Sequence, residues 1–385
     1  MKKEMQLYIH IPFCVKKCAY CDFLSFAADE KTQAAYVNAL IKELEFYGEK
    51  YKERKITTIF IGGGTPSWLD ADAMEAIMEC VHHNYAVSED AEITIECNPG
   101  TVTDEKFAVY KKIGINRLSI GLQSANNEEL RLLGRIHTFE QFLRTYEKAR
   151  KFGFSNINVD LMSALPGQTI ESFMNSLKKV VCLKPEHISA YSLIIEEGTP
   201  FFEKYRDDVR KQEKGVRTEF LPQEEEVYEI TARTREFLQR EGYHWYEISN
   251  FAKQGKECRH NTGYWKRVDY LGVGLGAASL IENVRYANTS DFIKYIESPT
   301  QTADREQLSR AAQMEEFMFL GLRLVDGFHR QEFLDAFGIE IEGVYGDVLK
   351  ELQREGLLQM REAKIALTNK GIDVSNYVLA QFLLS

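Results

Sequence analysis

The run LYIHIPFCVKKCAYCDF (7–23) constrains this chain more than any other stretch. A short apolar, β-forming segment leads into thiols at Cys14, Cys18 and Cys21. Three cysteines at x3 and x2 spacing in one loop can converge on one small object, so the rest of the chain must hold that loop on a rigid scaffold. Three is the informative number. A structural zinc site wants four closed ligands, whereas a [4Fe-4S] cluster held by three thiolates keeps one iron open for a small molecule. The spacing leaves two blander alternatives: zinc with His10 as fourth ligand, or free thiols in a core.

Downstream, segments of helical periodicity alternate with β-branched runs. EKTQAAYVNALIKELEFYGEKY is a helix, KITTIFI a buried strand, and 70–85 a second helix. AEITIEC (91–97), RLSIGLQS (117–124), INVDLMSAL and HISAYSLII (187–195) are further strands. Helices over 106–113, 139–152, 168–181 and 223–241 follow or separate them, and HWYEISNFA (244–252) is read as a final strand. Such alternation implies a parallel sheet with helical crossovers. Six or seven units exceed a nucleotide-binding half-fold and fall short of an eight-unit barrel, so the expectation is an α/β fold: a partial (β/α)6-type barrel. Glu96 lies near the end of its strand, Gln123 just past the apolar part of its own, and Asp160 inside an otherwise apolar segment; in parallel α/β folds the C-terminal strand ends carry the chemistry.

The first of these strands runs into Gly62-Gly63-Gly64-Thr65-Pro66, a turn whose glycines let the main chain approach a ligand closely. With the three cysteines, this turn resembles the radical S-adenosylmethionine (SAM) superfamily. The resemblance implies a [4Fe-4S] cluster on Cys14, Cys18 and Cys21, with SAM on its open iron and the glycine turn against the methionyl group. It further implies reductive cleavage of SAM to a 5′-deoxyadenosyl radical. The chain also resembles the oxygen-independent coproporphyrinogen III oxidases and their relatives through residue 290 and in a small C-terminal module. Their SAM positions fall here on Tyr8, Gly63, Gly64, Thr65, Glu96, Gln123, Arg135 and Asp160, with Tyr20 and Ile194 as weaker matches. A carboxylate such as Glu96 or Asp160 can accept from both ribose hydroxyls, and Arg135 suits the SAM carboxylate.

A break in character near Ser298-Pro299 divides the chain into 1–298, the barrel with its rim segment, and 299–385, a winged-helix-like module of helices and a hairpin. Winged helices often bind DNA, but residues 311–385 hold twelve acidic against seven basic residues and the whole chain carries a net charge of -10. No nucleic-acid partner is expected. LGVGLGAAS (271–279) lacks a clean dinucleotide fingerprint and is read as close backbone packing.

Three features separate the chain from the true oxidases. They carry a further cysteine two residues after the third cluster cysteine, where this chain has Phe23. Their segment before the cluster motif is longer. CRHNTGYW (258–265) also looks like the HNxxYW motif of the HemW-type heme chaperones, on His260, Asn261, Tyr264 and Trp265. That resemblance implies a protein that binds the cluster, SAM and heme and passes heme to respiratory acceptor proteins, without oxidase activity. His260 is the candidate axial ligand, with Cys258 as a second conceivable one. The alternative is a coproporphyrinogen III oxidase. Seven cysteines, three of them clustered, fit a reducing compartment. With no signal-peptide core and no apolar run of about eighteen residues, a cytoplasmic protein is expected. YVLAQFLL near the C-terminus is apolar enough to touch a membrane or a partner but is read as packing into the small domain; peripheral membrane contact and homodimerisation are both compatible with the sequence.

Overall fold

The computed structural model describes residues 2–361 and 363–384. Six strands run parallel and pair in chain order: β1 (Lys3–Ile11), β2 (Arg54–Gly63), β3 (Ala86–Cys97), β4 (Arg117–Gln123), β5 (Ile157–Ser163) and β6 (His187–Ser192). Helices Glu30–Lys50, Ala71–Asn84, Asp104–Lys112, Phe139–Lys151 and Ile170–Cys182 carry the crossovers. Four of these start on a side-chain cap from Asp29, Thr103, Thr138 or Thr169, each satisfying an otherwise orphaned N–H of the first turn.

Strand alternation sorts the side chains. Leu7, Ile9, Ile59, Ile61, Ile93, Ile95, Leu118, Ile120, Val159 and Leu161 are buried in one cluster with helix residues such as Leu40, Met74, Phe107 and Phe142. The opposite face carries Gln6, Tyr8, Thr58, Glu92, Glu96, Ser119, Asn158 and Asp160. A period of two thus gives the barrel an apolar outside under the helices and a polar inside. The partial (β/α)6 barrel expected from the sequence is what these strands build.

The sheet continues at both ends. Segment 244–252, expected as one strand, is a hairpin of β7 (His244–Glu247) and β8 (Asn250–Ala252), with β8 antiparallel to β6. Four residues from Glu247 to Asn250 reverse the chain, which a hydrophobic pattern alone does not reveal. On the other side β9 (Tyr270–Val273) runs parallel to β1, and β10 (Ala278–Ile281), β11 (Val284–Asn288) and β12 (Thr302–Gln307) follow antiparallel. The twelve strands end in β12 and β7, so the barrel does not close on itself. Because β12 pairs with β11, the first unit runs past the boundary expected at 298/299, to about Gln307. Glycines of 271–279 do pack closely: a side chain on Gly274 would meet the His10 carbonyl at 2.6 Å.

The C-terminal unit follows the order of a winged helix: helix Arg310–Gly321, β13 (Phe328–His329), helices Arg330–Phe337 and Glu342–Arg354, then the hairpin β14 (Leu358–Arg361) and β15 (Lys364–Leu367). Phe333, Tyr345, Ile365 and Phe382 fill its core. It docks on the barrel through Val325 N–H to the Tyr246 carbonyl at 3.0 Å and the Arg235–Asp373 ion pair at 2.7 Å. Among the described residues no helix is long and apolar enough to cross a membrane.

Candidate cofactor site

The cysteine loop is pinned at both ends. Cys14 N–H donates to the Phe26 carbonyl and Phe26 N–H to that of Pro12, while Ala19 N–H donates to the Leu133 carbonyl. All seven cysteines are free thiols, and among the described residues no three His, Cys, Asp or Glu side chains already stand as a metal-binding group. The donor set nonetheless suits an anionic sulfur centre. Thr65 Oγ1 donates to Cys14 Sγ at 3.5 Å, and Arg135 Nη1 to Cys18 Sγ at 3.7 Å. Hydrogen bonds of this kind suit sulfurs that ligate a cluster. His10 is not a spare fourth ligand: its Nε2 bonds the Leu24 carbonyl at 2.9 Å and its Nδ1 the Tyr8 hydroxyl at 3.0 Å. It fastens the loop to β1 and leaves three thiols, the number that suits an open iron and not a closed zinc.

The glycine turn behaves differently from a simple donor loop. Gly63, at φ +115°, gives its N–H to Glu96 Oε2 at 3.0 Å, Gly64 to the Ile11 carbonyl and Thr65 to the Phe13 carbonyl. A side chain on Gly64 would meet the Phe13 carbonyl at 2.8 Å. The turn's N–H groups are therefore spent inside the protein. What it offers a ligand is carbonyl oxygen, an acceptor suited to an ammonium group.

Around this turn the predicted residues converge. Burial and the neighbouring Asp160 carboxylate push Glu96 up to about 8. Asp160 is also shifted upward by burial, although Asn158 Nδ2 at 2.7 Å and Ser119 Oγ at 3.4 Å donate to it. Gln123, at φ +72°, sits where the β4–β5 register slips and accepts from the Tyr191 hydroxyl at 2.9 Å. Arg135 Nη2 bonds Asn98 Oδ1 at 2.5 Å and the Gly121 carbonyl at 2.7 Å. Its fork is thus already shared between the cysteine loop and two strand ends, which leaves Nε, buried and without a partner, as its uncommitted donor. A buried donor without a partner and two buried carboxylates pushed upward are marks of a site built for a polar ligand. Tyr20 lies beside Arg135. Ile194 falls beyond the end of β6, which stops at Ser192 and not at 195, and it is 71% exposed.

Asn98 and Gly121 were not singled out in the sequence. Asn98 Nδ2 donates to Thr65 Oγ1 at 2.8 Å, so this amide links the Cys14 and Cys18 supports. A Cβ on Gly121 would crowd Gln123 and Arg135 at 3.0 and 3.3 Å. The signal available was their position at strand ends, the same one that marked Glu96.

The HNxxYW residues lie elsewhere. They form a helix, Arg259–Trp265, at the barrel floor and not a loop on the rim. Glu92 accepts the N–H groups of Arg259 and His260, both at 3.1 Å, and Gln6 Nε2 bonds the His260 carbonyl at 3.1 Å. Gln6, Thr58 and Glu92 lie four residues before His10, Gly62 and Glu96 on β1, β2 and β3, roughly 13 Å along the strands. His260 is buried, with Nδ1 on Thr58 Oγ1 at 2.7 Å and Nε2 on the Tyr264 hydroxyl at 3.0 Å. Burial and the Arg117 charge push it down to about 3, so the ring is neutral, and an iron could reach it only by displacing one of these hydroxyls. Asn261, Tyr264 and Trp265 are half-buried. Cys258 is buried beside Glu92 and its thiol is pushed up to about 12 by burial.

A buried chain joins floor and mouth. Asp160 accepts from Asn158, whose Oδ1 meets His187 Nδ1 at 2.6 Å; His187 Nε2 meets the Tyr246 hydroxyl at 2.8 Å, which also accepts from Cys258 N–H at 3.2 Å. Since Oδ1 only accepts, His187 carries its proton on Nδ1, and Tyr246 donates to Nε2.

Comparison with known proteins places this architecture. The model of the radical SAM superfamily matches residues 8–180, and that of the HemN C-terminal domain matches residues 308–374. Heme chaperone HemW of Lactococcus lactis is 36% identical over 386 residues, covering 100% of this chain and 98% of that protein. The chain belongs to the HemW family. Heme chaperone HemW of Bacillus subtilis, 37% identical over 98% of each chain, and that of Escherichia coli, at 35%, agree. Among solved structures, the coproporphyrinogen III oxidase HemN of Escherichia coli superposes with a TM-score of 0.84 at 25% identity, covering 99% of this chain and 90% of that one. This HemW-family chain thus shares a radical SAM barrel and C-terminal domain with a porphyrin-pathway enzyme.

Proposed function

We propose that this protein is a heme chaperone that holds a [4Fe-4S] cluster on Cys14, Cys18 and Cys21, binds SAM at the barrel mouth, and carries heme to respiratory acceptor proteins. The observation that carries the reading is similarity to heme chaperones along the whole chain, barrel and C-terminal unit together. Phe23, 68% exposed, stands where the oxidases place a further thiol, which counts against the coproporphyrinogen oxidase alternative. When bound, the cluster supplies an iron for the amino and carboxylate groups of SAM and an electron for cleaving its sulfonium bond.

The chain's own residues supply the rest. Thr65 and Arg135 steady the sulfurs. The glycine-turn carbonyls suit the ammonium group, and Glu96 and Asp160 suit hydroxyls. Arg135 Nε and the Gln123 amide suit acceptors. Gly63, Gly64 and Tyr8 shape the cradle, the last by holding His10 and lying stacked on Phe60.

The test is anaerobic reconstitution with iron, sulfide, SAM and reductant. Coproporphyrinogen III is then assayed for decarboxylation while a parallel sample is titrated with heme. The expected result is a Soret change on adding heme and no protoporphyrinogen. Turnover to protoporphyrinogen would replace this reading with the oxidase.

A further inference from the structure

Asn98 stands one residue past the end of β3, between the supports of two of the clustered thiols, and its partners fix which way the protons around it point. Its main chain is held from behind. The N–H donates to Ser67 Oγ at 3.1 Å, and the carbonyl accepts from the Thr101 hydroxyl at 2.8 Å. Ser67 and Thr101 are joined in turn through their hydroxyls at 2.7 Å. The side-chain amide is thereby presented to Thr65 and Arg135.

A guanidinium has donors only. The Asn98 oxygen is therefore the atom that meets Arg135 Nη2 at 2.5 Å, and the amide nitrogen the one that meets Thr65 Oγ1 at 2.8 Å. An amide nitrogen only donates, so Thr65 Oγ1 accepts there and keeps its own proton for another acceptor. Cys14 Sγ, at 3.5 Å, receives it. Thr65 is buried, its N–H is spent on the Phe13 carbonyl, and its hydroxyl has no other partner among the described residues. On the far side of the amide, Arg135 Nη1 reaches Cys18 Sγ at 3.7 Å. One amide thus sets a donor on each of two sulfurs.

We infer that Asn98 is a positioning residue for the redox chemistry of the cluster: by holding the Thr65 hydroxyl as a donor to Cys14 and the Arg135 fork against Cys18, it eases the one-electron reduction on which SAM cleavage depends. The inference rests on the cluster part of the proposed function and deepens it. Reduction adds negative charge to the cluster and its sulfurs, and a hydrogen bond donated to a sulfur favours the more negative state. An aspartate at position 98 would keep the bond to Arg135 but present an acceptor to Thr65. The hydroxyl proton would then turn away from Cys14, and the reduced cluster would be less favoured.

The experiment is a dithionite titration of the full chain, reconstituted anaerobically with iron and sulfide and read by electron paramagnetic resonance at known potentials. Five proteins are compared: wild type, Thr65→Ser, Thr65→Val, Asn98→Asp and the double variant Asn98→Asp/Thr65→Val. Thr65→Val removes the donor at nearly constant shape and is expected to lower the reduced-to-oxidised ratio at a given potential about fivefold. Thr65→Ser keeps the donor and should match wild type; this pair needs no change at position 98. Asn98→Asp should also lower the ratio, and adding Thr65→Val to it should lower it no further. That non-additivity separates the orientation of the hydroxyl from the charge that aspartate adds. A Thr65→Val effect of equal size in both backgrounds overturns the inference, as does a Thr65→Val protein that titrates like wild type. A wild type that assembles no cluster instead overturns the cluster reading itself.

Discussion

Glu96 shows how much one residue's surroundings decide. Ordinary carboxyls ionise near 4.5, but here burial and Asp160 push the group up to about 8, so in the ligand-free protein it holds its proton at neutral pH. A ligand offering hydroxyl or ammonium hydrogens favours the carboxylate, and binding must then expel that proton. The sign follows: SAM affinity rises as pH climbs toward 8 and falls below it, by up to about tenfold per unit. Isothermal titration at pH 6, 7 and 8 in buffers of different ionisation heat checks this. Wild type is expected to release a proton near pH 7. Glu96→Gln should bind more weakly and lose this component of the pH slope, and an unchanged slope in that variant would remove Glu96 from the site. The residue itself was legible in the sequence as a carboxylate at a strand end, as were the three thiols. The committed state of Arg135 was not. A sequence shows a guanidinium within reach of a site but not that Asn98, Gly121 and Cys18 already claim it.

At the scale of elements, the short helix Arg259–Trp265 owes its position to what is missing at Gly263. A Cβ there would overlap the Gln6 side chain, whose amide bonds the carbonyls of Arg259 and His260. Gly263→Ala is therefore expected to cost about 1–3 kcal/mol by overpacking, read as a lowered urea midpoint at unchanged m-value. Cluster loading at the opposite end of the barrel is expected to be unchanged in this variant. Full stability in this variant would mean that Gln6 is free to move and does not brace the helix. The HNxxYW spacing was visible from the sequence, but its placement was not. A seven-residue helix with no amphipathic repeat gives no periodic signal, and only Glu92, 167 positions before Arg259 in the chain, fixes where it starts. The alternation of β1 to β6 with long capped helices was readable because each element repeats its signal over several turns. The added strands β9, β10 and β11 span four or five residues each and take their register from neighbours distant in sequence.

Across the whole molecule, the barrel interior joins two sites that the chain keeps apart. Mouth and floor are linked by Asp160, Asn158, His187, Tyr246 and Cys258, each bonded to the next. Tyr246 also lends its carbonyl to Val325 of the C-terminal unit. A ligand that engages Asp160 competes with the Asn158 amide. Relaxing that bond shifts the Asn158 carbonyl against the His187 proton, and through Nε2 the donor position of the Tyr246 hydroxyl. On the proposed function, SAM at the mouth and heme are expected to act as each other's effectors through this chain, and a coupling free energy acts equally in both directions. SAM is expected to change heme affinity about fivefold or more in the wild type, and heme to change SAM affinity by the same factor. Tyr246→Phe keeps the ring and its packing against His187 but removes the hydroxyl, so its measured factor should fall toward one while each ligand alone still binds. Equal coupling in wild type and Tyr246→Phe would mean that the two ends communicate through the backbone of the barrel and not through this chain. Unequal factors for the two ligands in the wild type would mean that the titrations are not at equilibrium. The proton positions give the experiment its direction: Tyr246 is the donor to His187, so deleting its hydroxyl breaks the chain at the residue whose carbonyl also holds Val325 of the C-terminal unit.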